Sequence, residues 1–195
     1  MINQINKMII RENRVLSDNW YTLRKISFDR LTSKGRWIST SREAYDRGNG
    51  AVIMPYDLIN KKIILTKQFR LPTYINGNET GMLIEACAGL LDKDDPISCI
   101  KREAEEEIGY RLTEVIKIFE AYMSPGSVTE ILYFFIAAYN SSMKINNGGG
   151  IDEEHEDIEV LELDFDVATT MIKTGEIKDG KTIMLLQYLK LSIFI

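Results

Sequence analysis

Only two cysteines, Cys87 and Cys99, occur in 195 residues. That is too few for a disulfide framework, so both read as buried thiols, which suits a reducing cytoplasm. No apolar run approaches the ~18 residues needed to span a bilayer, and no membrane partner is expected. The opening MINQINKMIIRENR has neither the long apolar core nor the small-residue cleavage site of a secretory signal, so a cytoplasmic location is expected. Basic charge is not in excess: 24 Lys and Arg against 29 Asp and Glu leave a net charge of −5. This argues against general nucleic-acid binding, which wants a basic face. It does not exclude an anionic small molecule, because bound cations and a few placed basic side chains can invert a local field. The single histidine, His155, lies in an acidic run and by its surroundings reads as a bystander. There is no internal repeat, low-complexity tract or second catalytic motif.

What is present is 45% hydrophobic and 27% charged, ordinary for a globular chain able to bury a core. Residues 1–48 predict a β-rich arm with strands near 7–15, 20–31 and 35–45. Such polar, marginal strands need something to pack on, either the main domain or another subunit. The turn Asp46-Arg47-Gly48-Asn49-Gly50 marks the boundary with a second domain, 49–195. There the pattern predicts a hairpin of strands 51–56 and 62–67, then Gln68-Phe69-Arg70, then a short buried strand over 82–87. Further strands follow near 114–123 and 129–139, the latter central because Leu132 to Ala138 is nearly all apolar. Residues 140–157 form the longest polar stretch. Gly148-Gly149-Gly150 predicts a mobile loop there, ahead of the acids Asp152, Glu153, Glu154, Glu156 and Asp157. A last strand near 158–163 and helices over 165–174 and 181–193 close the chain.

The stretch that carries chemistry runs from Glu85 to Tyr110. Asp95-Pro96 predicts a helix start and Gly109 its stop. Ile97, Ile100, Ala104 and Ile108 recur at helical spacing as the buried stripe. Beside that stripe Glu103, Glu106 and Glu107 share a face, while Glu105 points to water. This is a poor way to stabilise a helix. Like charges repel at this spacing, and acids in the last turns oppose the helix dipole. A solvated acidic face with Arg102 paired to Glu106 is the ordinary explanation. A divalent cation is the sharper one: Mg²⁺ or Mn²⁺ prefers carboxylate oxygens and keeps substrate phosphates in its shell. Arg70, at a strand end, is either a surface ion-pair partner or a bidentate phosphate ligand. Glu130 either caps a turn or faces the site.

Arg102-Glu103 followed by Glu106, Glu107 and Gly109, with Ala88-Gly89 ahead of them, resembles the box of the Nudix hydrolases, G-x5-E-x7-R-E-U-x-E-E-x-G-U. The first half departs from it. Asp94 or Asp95 stands for the first glutamate, and counting from Gly89 leaves six residues rather than seven before Arg102. Further matches at Tyr45 to Gly50, Gln68 to Arg70, Asn76 to Glu79, Tyr122 to Gly126 and Thr174 to Thr182 resemble the GDP-mannose pyrophosphatase branch. The Ser124 to Glu130 segment is also similar to ADP-ribose pyrophosphatases.

The resemblance implies an α/β fold, a Nudix α/β/α sandwich with a mixed sheet. It also implies an N-terminal arm exchanged within a homodimer. The implied reaction is Mg²⁺-dependent hydrolysis of a nucleotide sugar, GDP-mannose giving GMP and mannose 1-phosphate. ADP-ribose hydrolysis and a non-catalytic nucleotide-binding module are the alternatives. By similarity the Ala88 carbonyl, Glu103, Glu107 and Glu156 bind the metal. Glu156, Glu107, Glu106 and Arg102 form the catalytic set, Arg102 as an orienting group for Glu106 or Glu107, and Glu153 and Glu154 are rivals of Glu156. Arg70, Ala88, Gly89, Leu90, Glu107, Glu130, His155, Glu156 and Lys181 match substrate-contacting positions of one subunit. Trp20, Ser41, Arg42 and Glu43 match positions that reach from the partner, with Ser41 where a basic residue is expected and Trp20 in place of Tyr.

Overall fold

The computed structural model describes residues 7–151 and 156–195. The chain divides into two units. The first holds the arm up to Gly48 together with Ser124–Glu130. The second holds Asn49–Met123 and Ile131–Ile195.

In the first unit, strands β1 (Met8–Asp18), β2 (Thr22–Leu31) and β3 (Trp37–Asp46) form an antiparallel sheet in that order. Asp29 fixes its register from the middle strand. It accepts from Arg11 Nε on one side (2.7 Å) and from Ser39 Oγ on the other (2.6 Å). The Ser39 hydroxyl and then Arg11 hold its carboxyl below the usual carboxylate range. The sheet has little core of its own, since Met8, Ile10, Trp20 and Trp37 are all exposed. Ser124–Glu130 joins this unit through Tyr45, whose N–H donates to the Ser127 carbonyl (2.8 Å) and whose carbonyl accepts from Thr129 N–H (3.1 Å).

The second unit is a mixed seven-stranded sheet between helices. Its main path runs β10 (Glu159–Asp164), β5 (Lys62–Phe69), β4 (Gly50–Asp57), β9 (Ile131–Ala138) and β8 (Ile116–Tyr122). The short strands β6 (Met82–Glu85) and β7 (Cys87–Leu90) pair with β5 and β4. Only β4 and β9 run parallel. The apolar run of β9 is explained by its interior place, with both faces covered.

Alternation along β4 sorts the core. Val52 and Met54 face helices α3 (Phe165–Thr174) and α4 (Gly180–Ser192), against Phe165, Leu185 and Leu186. Ala51 and Ile53 face helix α2 (Pro96–Glu103), against Cys99, Ile100 and Ala104. These β4 residues are fully buried, and each large side chain so buried contributes about 2 kcal/mol. The result is the α/β/α layering that the resemblance implies.

Two details depart from the sequence-based reading and a third adds to it. A five-residue helix, α1 (Leu71–Ile75), follows Arg70, with Pro72 in its first turn where the lost N–H costs nothing. Ile97 is 45% exposed, so the buried stripe of the acidic helix is Cys99, Ile100, Ala104 and Ile108. The polar stretch after Asn140 is tied down over much of its length. Ile145 N–H donates to the Gly109 carbonyl (2.8 Å), Gly149 N–H to Glu107 (2.9 Å) and Gly150 N–H to Glu106 (3.1 Å). The last carbonyls of a helix need partners, and here these N–H groups supply them. Among the described residues, no helix is long and apolar enough to cross a membrane.

Candidate active site

One extended run, Glu85 to Gly89, is the spine on which the candidate site residues of the second unit meet. Asp95 caps the helix that faces it, accepting from the N–H groups of Ile97 (3.0 Å) and Ser98 (3.2 Å), with Pro96 at the first helical position. Beyond Glu103 the helix widens into a π turn over Ala104–Ile108, a distortion common at functional sites. It ends at Gly109 in the left-handed conformation, φ 79°.

Glu107, 3% exposed, accepts from Ala88 N–H at 3.1 Å. Glu103 lies directly over Gly89, and a Cβ built on Gly89 would come within 2.1 Å of the Glu103 carboxyl group. Only glycine leaves room for that approach. Burial pushes the Glu107 carboxyl up to about 7; the like charge of Glu103 adds to the shift, while contacts from Cys87 and Ala88 oppose it. Burial likewise pushes Glu103 up to about 7, with Arg102 opposing and the charges of Glu106 and Glu156 adding. Cys87 and Cys99 are free, buried thiols, as their number suggests. Burial raises the Cys87 thiol first, and its neighbour Glu107 second.

Arg102 orders the outer side of the cluster. Its guanidinium reaches Glu103 at 2.9 Å, Glu106 at 2.8 Å and Asp94 at 3.5 Å. The residue it holds beside Glu106 is therefore Glu103, not Glu107. Glu105 points outward, in a two-point pair with Arg111 (2.8 and 3.2 Å). Glu156 accepts from Ile151 N–H at 3.1 Å and is close enough for its charge to act on Glu103.

The other end of the spine carries the cations. Glu85, 3% exposed, accepts from Arg70 Nε at 2.6 Å and from Lys181 Nζ. Lys181 also pairs with Asp179 at 2.9 Å. Asp179 caps α4 through the Thr182 N–H (2.9 Å) and hydroxyl (2.6 Å), and Thr182 Oγ1 accepts from Ala86 N–H (2.7 Å). One helix start is thus locked to the spine, with its lysine beside Glu85. Arg70 also lies near enough to Glu107 to favour its charged form.

The structure therefore brings together Arg70, Ala88, Gly89, Arg102, Glu103, Glu106, Glu107, Glu156 and Lys181. Leu90 continues the same strand, its carbonyl accepting the Cys99 S–H at 3.2 Å. Trp20, Ser41, Arg42, Glu43 and Glu130 belong to the first unit. There Trp20 is 85% exposed, Arg42 bonds its own strand at Thr40 (2.9 Å), and Glu130 stands 3.6 Å from Arg47. His155, Glu153 and Glu154 lie outside the described residues. Sequence reasoning missed Glu85, Asp179 and Arg47. Asp179 carried a signal, an acid three residues before Thr182 at a helix start. Glu85, a lone acid at the end of an apolar strand, carried little.

Among the described residues, no group of three or more His, Cys, Asp and Glu side chains stands ready to hold a metal ion. Glu107 is engaged with Ala88 N–H and Glu103 with Arg102. The donors nonetheless fit a hard cation: they are oxygens only, and the two carboxylates of raised proton affinity meet at one strand.

Comparison with known proteins supplies the family. Residues 47–185 match the model of the NUDIX domain, and residues 7–45 that of the GDP-mannose pyrophosphatase NudK N-terminal domain. GDP-mannose pyrophosphatase of Escherichia coli O1:K1 is 55% identical over 181 residues, covering 93% of this chain and 94% of that protein. The proteins of the same name from Shigella flexneri and Shigella dysenteriae serotype 1 share the same identity and coverage. With this box, this fold and these relatives, the chain belongs to the Nudix family.

Proposed function

We propose that this protein is a divalent-metal-dependent hydrolase of the pyrophosphate bond of nucleotide sugars, with GDP-mannose as substrate and GMP and mannose 1-phosphate as products. The observation that carries this is the Glu85–Gly89 spine. It carries the carboxylates of Glu103 and Glu107 toward one end and Arg70 and Lys181 at the other, an arrangement suited to a diphosphate bound with a divalent cation. The relatives' name supplies the nucleotide and the sugar.

In this reading the Ala88 carbonyl, Glu103, Glu107 and Glu156 hold Mg²⁺, or Mn²⁺ in its place. When bound, the cation supplies charge neutralisation for the diphosphate and lowers the pKa of water. Arg70 and Lys181 bind the phosphate oxygens and stabilise charge as the anhydride breaks. Glu156 takes the proton of the attacking water. Arg102 holds Glu103 and Glu106 in place, and Glu106 shares the outer charge of the cluster. Leu90 and Gly89 offer backbone to the substrate, and His155 contacts it as well. The test is a panel of nucleotide sugars with Mg²⁺, products separated by chromatography. GMP and mannose 1-phosphate are expected from GDP-mannose. Preferential cleavage of ADP-ribose moves the assignment to that substrate, and no cleavage of any member leaves only a nucleotide-binding module.

A homodimer with exchanged arms belongs to the same proposal. Met8 and Ile10 on β1, Trp37 on β3 and Trp20 in the turn after β1 are exposed with no core of their own to fill, which favours an interaction surface on this unit. Trp20, Ser41, Arg42, Glu43 and the arm that bears them then complete the partner's nucleotide site. Sedimentation should give a dimer at working concentration; a fully active monomer defeats the idea.

A further inference from the structure

We infer that Glu85 is a positioning residue: a buried carboxylate that yokes Arg70 and Lys181 into one diphosphate-binding pair. The inference rests on the reading of Arg70 and Lys181 as phosphate ligands. Glu85 lies 15 residues from Arg70 and 96 from Lys181 in sequence, so neither approach is a local accident. Two cations converge only if something offsets their repulsion, and each oxygen of Glu85 takes one of them. At 3% exposure this carboxylate would be costly to bury unpaired, so both partners are held tightly.

The way each partner is held leaves it able to bind further. Arg70 uses only its Nε on Glu85; its two terminal nitrogens make no hydrogen bond among the described residues. Those nitrogens are the ones suited to two-point contact with a phosphate. Lys181 donates to Glu85 and Asp179, which leaves one of its three protons for a ligand. Each oxygen of Glu85 faces one of the two cations, which assigns it to holding them. Its work is to fix the two donors before the diphosphate arrives, so that binding carries no cost of ordering them.

The test is a double-mutant cycle of Glu85→Gln and Lys181→Met, read on kcat and KM for GDP-mannose with Mg²⁺. Glutamine replaces one of the two oxygens by an NH2 group, which donates and so faces one of the cations with no acceptor, and it removes the charge that draws both. Each single change should lower kcat/KM by roughly 10- to 100-fold. Most of the loss should appear in KM, because the pair holds the phosphates before as well as during reaction. The double variant should lose clearly less than the product of the two single losses, because part of the effect of Glu85 is carried by Lys181 while the rest is carried by Arg70. Losses that multiply, a loss confined to kcat, or a fully active Glu85→Gln overturn the inference. If Glu85→Gln does not fold, Glu85→Asp takes its place: it keeps the charge but is one methylene too short to bridge both cations. The same cycle, read as the Kd of inorganic pyrophosphate by calorimetry, separates the two ideas. No turnover of GDP-mannose by the unaltered protein defeats the substrate assignment, whereas additive losses of pyrophosphate affinity defeat the role of Glu85.

Discussion

Glu107→Gln is expected to lower kcat on the order of 10³-fold while the fold survives. The side chain is 3% exposed and held by Ala88 N–H, and glutamine keeps that acceptor and the volume. What it loses is the charge that the proposed cation site draws on. The same change should stabilise the metal-free protein above neutral pH, and the sign follows from linkage. The folded carboxyl titrates near 7 instead of its ordinary 4.5, so between those values the folded state binds more protons than the unfolded chain. Stability then falls as pH rises through that window, and the cost is fully present above about 7. The variant should melt higher than the parent at pH 8, and the advantage should disappear at pH 4.5 or below. Steady-state kinetics and paired melting curves check both halves. Near-normal turnover by Glu107→Gln would show that the helix acids serve no metal.

Gly89→Ala should lower kcat on the order of 10²-fold, the scale on which a misplacement of about 1 Å acts in an active site. The added methyl would clash with the Glu103 carboxyl group. The strand cannot retreat, because Gly89 pairs with Ala51 in β4 and the neighbouring Ala88 N–H is bound to Glu107. The side chain must therefore move, and Glu103 leaves the spine. Mg²⁺ titration should show weakened binding, with thermal stability little changed, since Glu103 is costly where it stands. Normal Mg²⁺ affinity and normal kcat in the Gly89→Ala protein would mean that Glu103 has no fixed place in catalysis.

The acidic helix illustrates how much the residues declare by themselves. Asp95, Pro96 and Gly109 delimit it through backbone chemistry that acts within a few residues, and the structure ends it at the same positions. The spacing of Glu103, Glu106 and Glu107 puts them on one face of any helix. The apolar run from Leu132 to Ala138 declares an interior strand because only two covered faces can use it. The three glycines at 148–150 declared conformational freedom without saying what it serves, since composition reports only freedom. Whether that freedom is used for motion or for a close approach depends on which carbonyls lie opposite, and here they are those of Glu106 and Glu107. The π turn was equally hidden, because it depends on where the helix end must meet the strand and not on local propensity.

The sequence alone determined the helix, its carboxylates, the mixed α/β pattern and the family, because each rests on periodicity, capping or a short motif. Tertiary structure decided which strand the carboxylates meet, that Gly89 admits Glu103, and that Glu85 gathers Arg70 and Lys181. Those contacts join residues up to 96 positions apart. No local rule of the chain reaches that far; only the folded sheet, which places β6 and β7 between α2 and the start of α4, brings such groups within hydrogen-bonding distance.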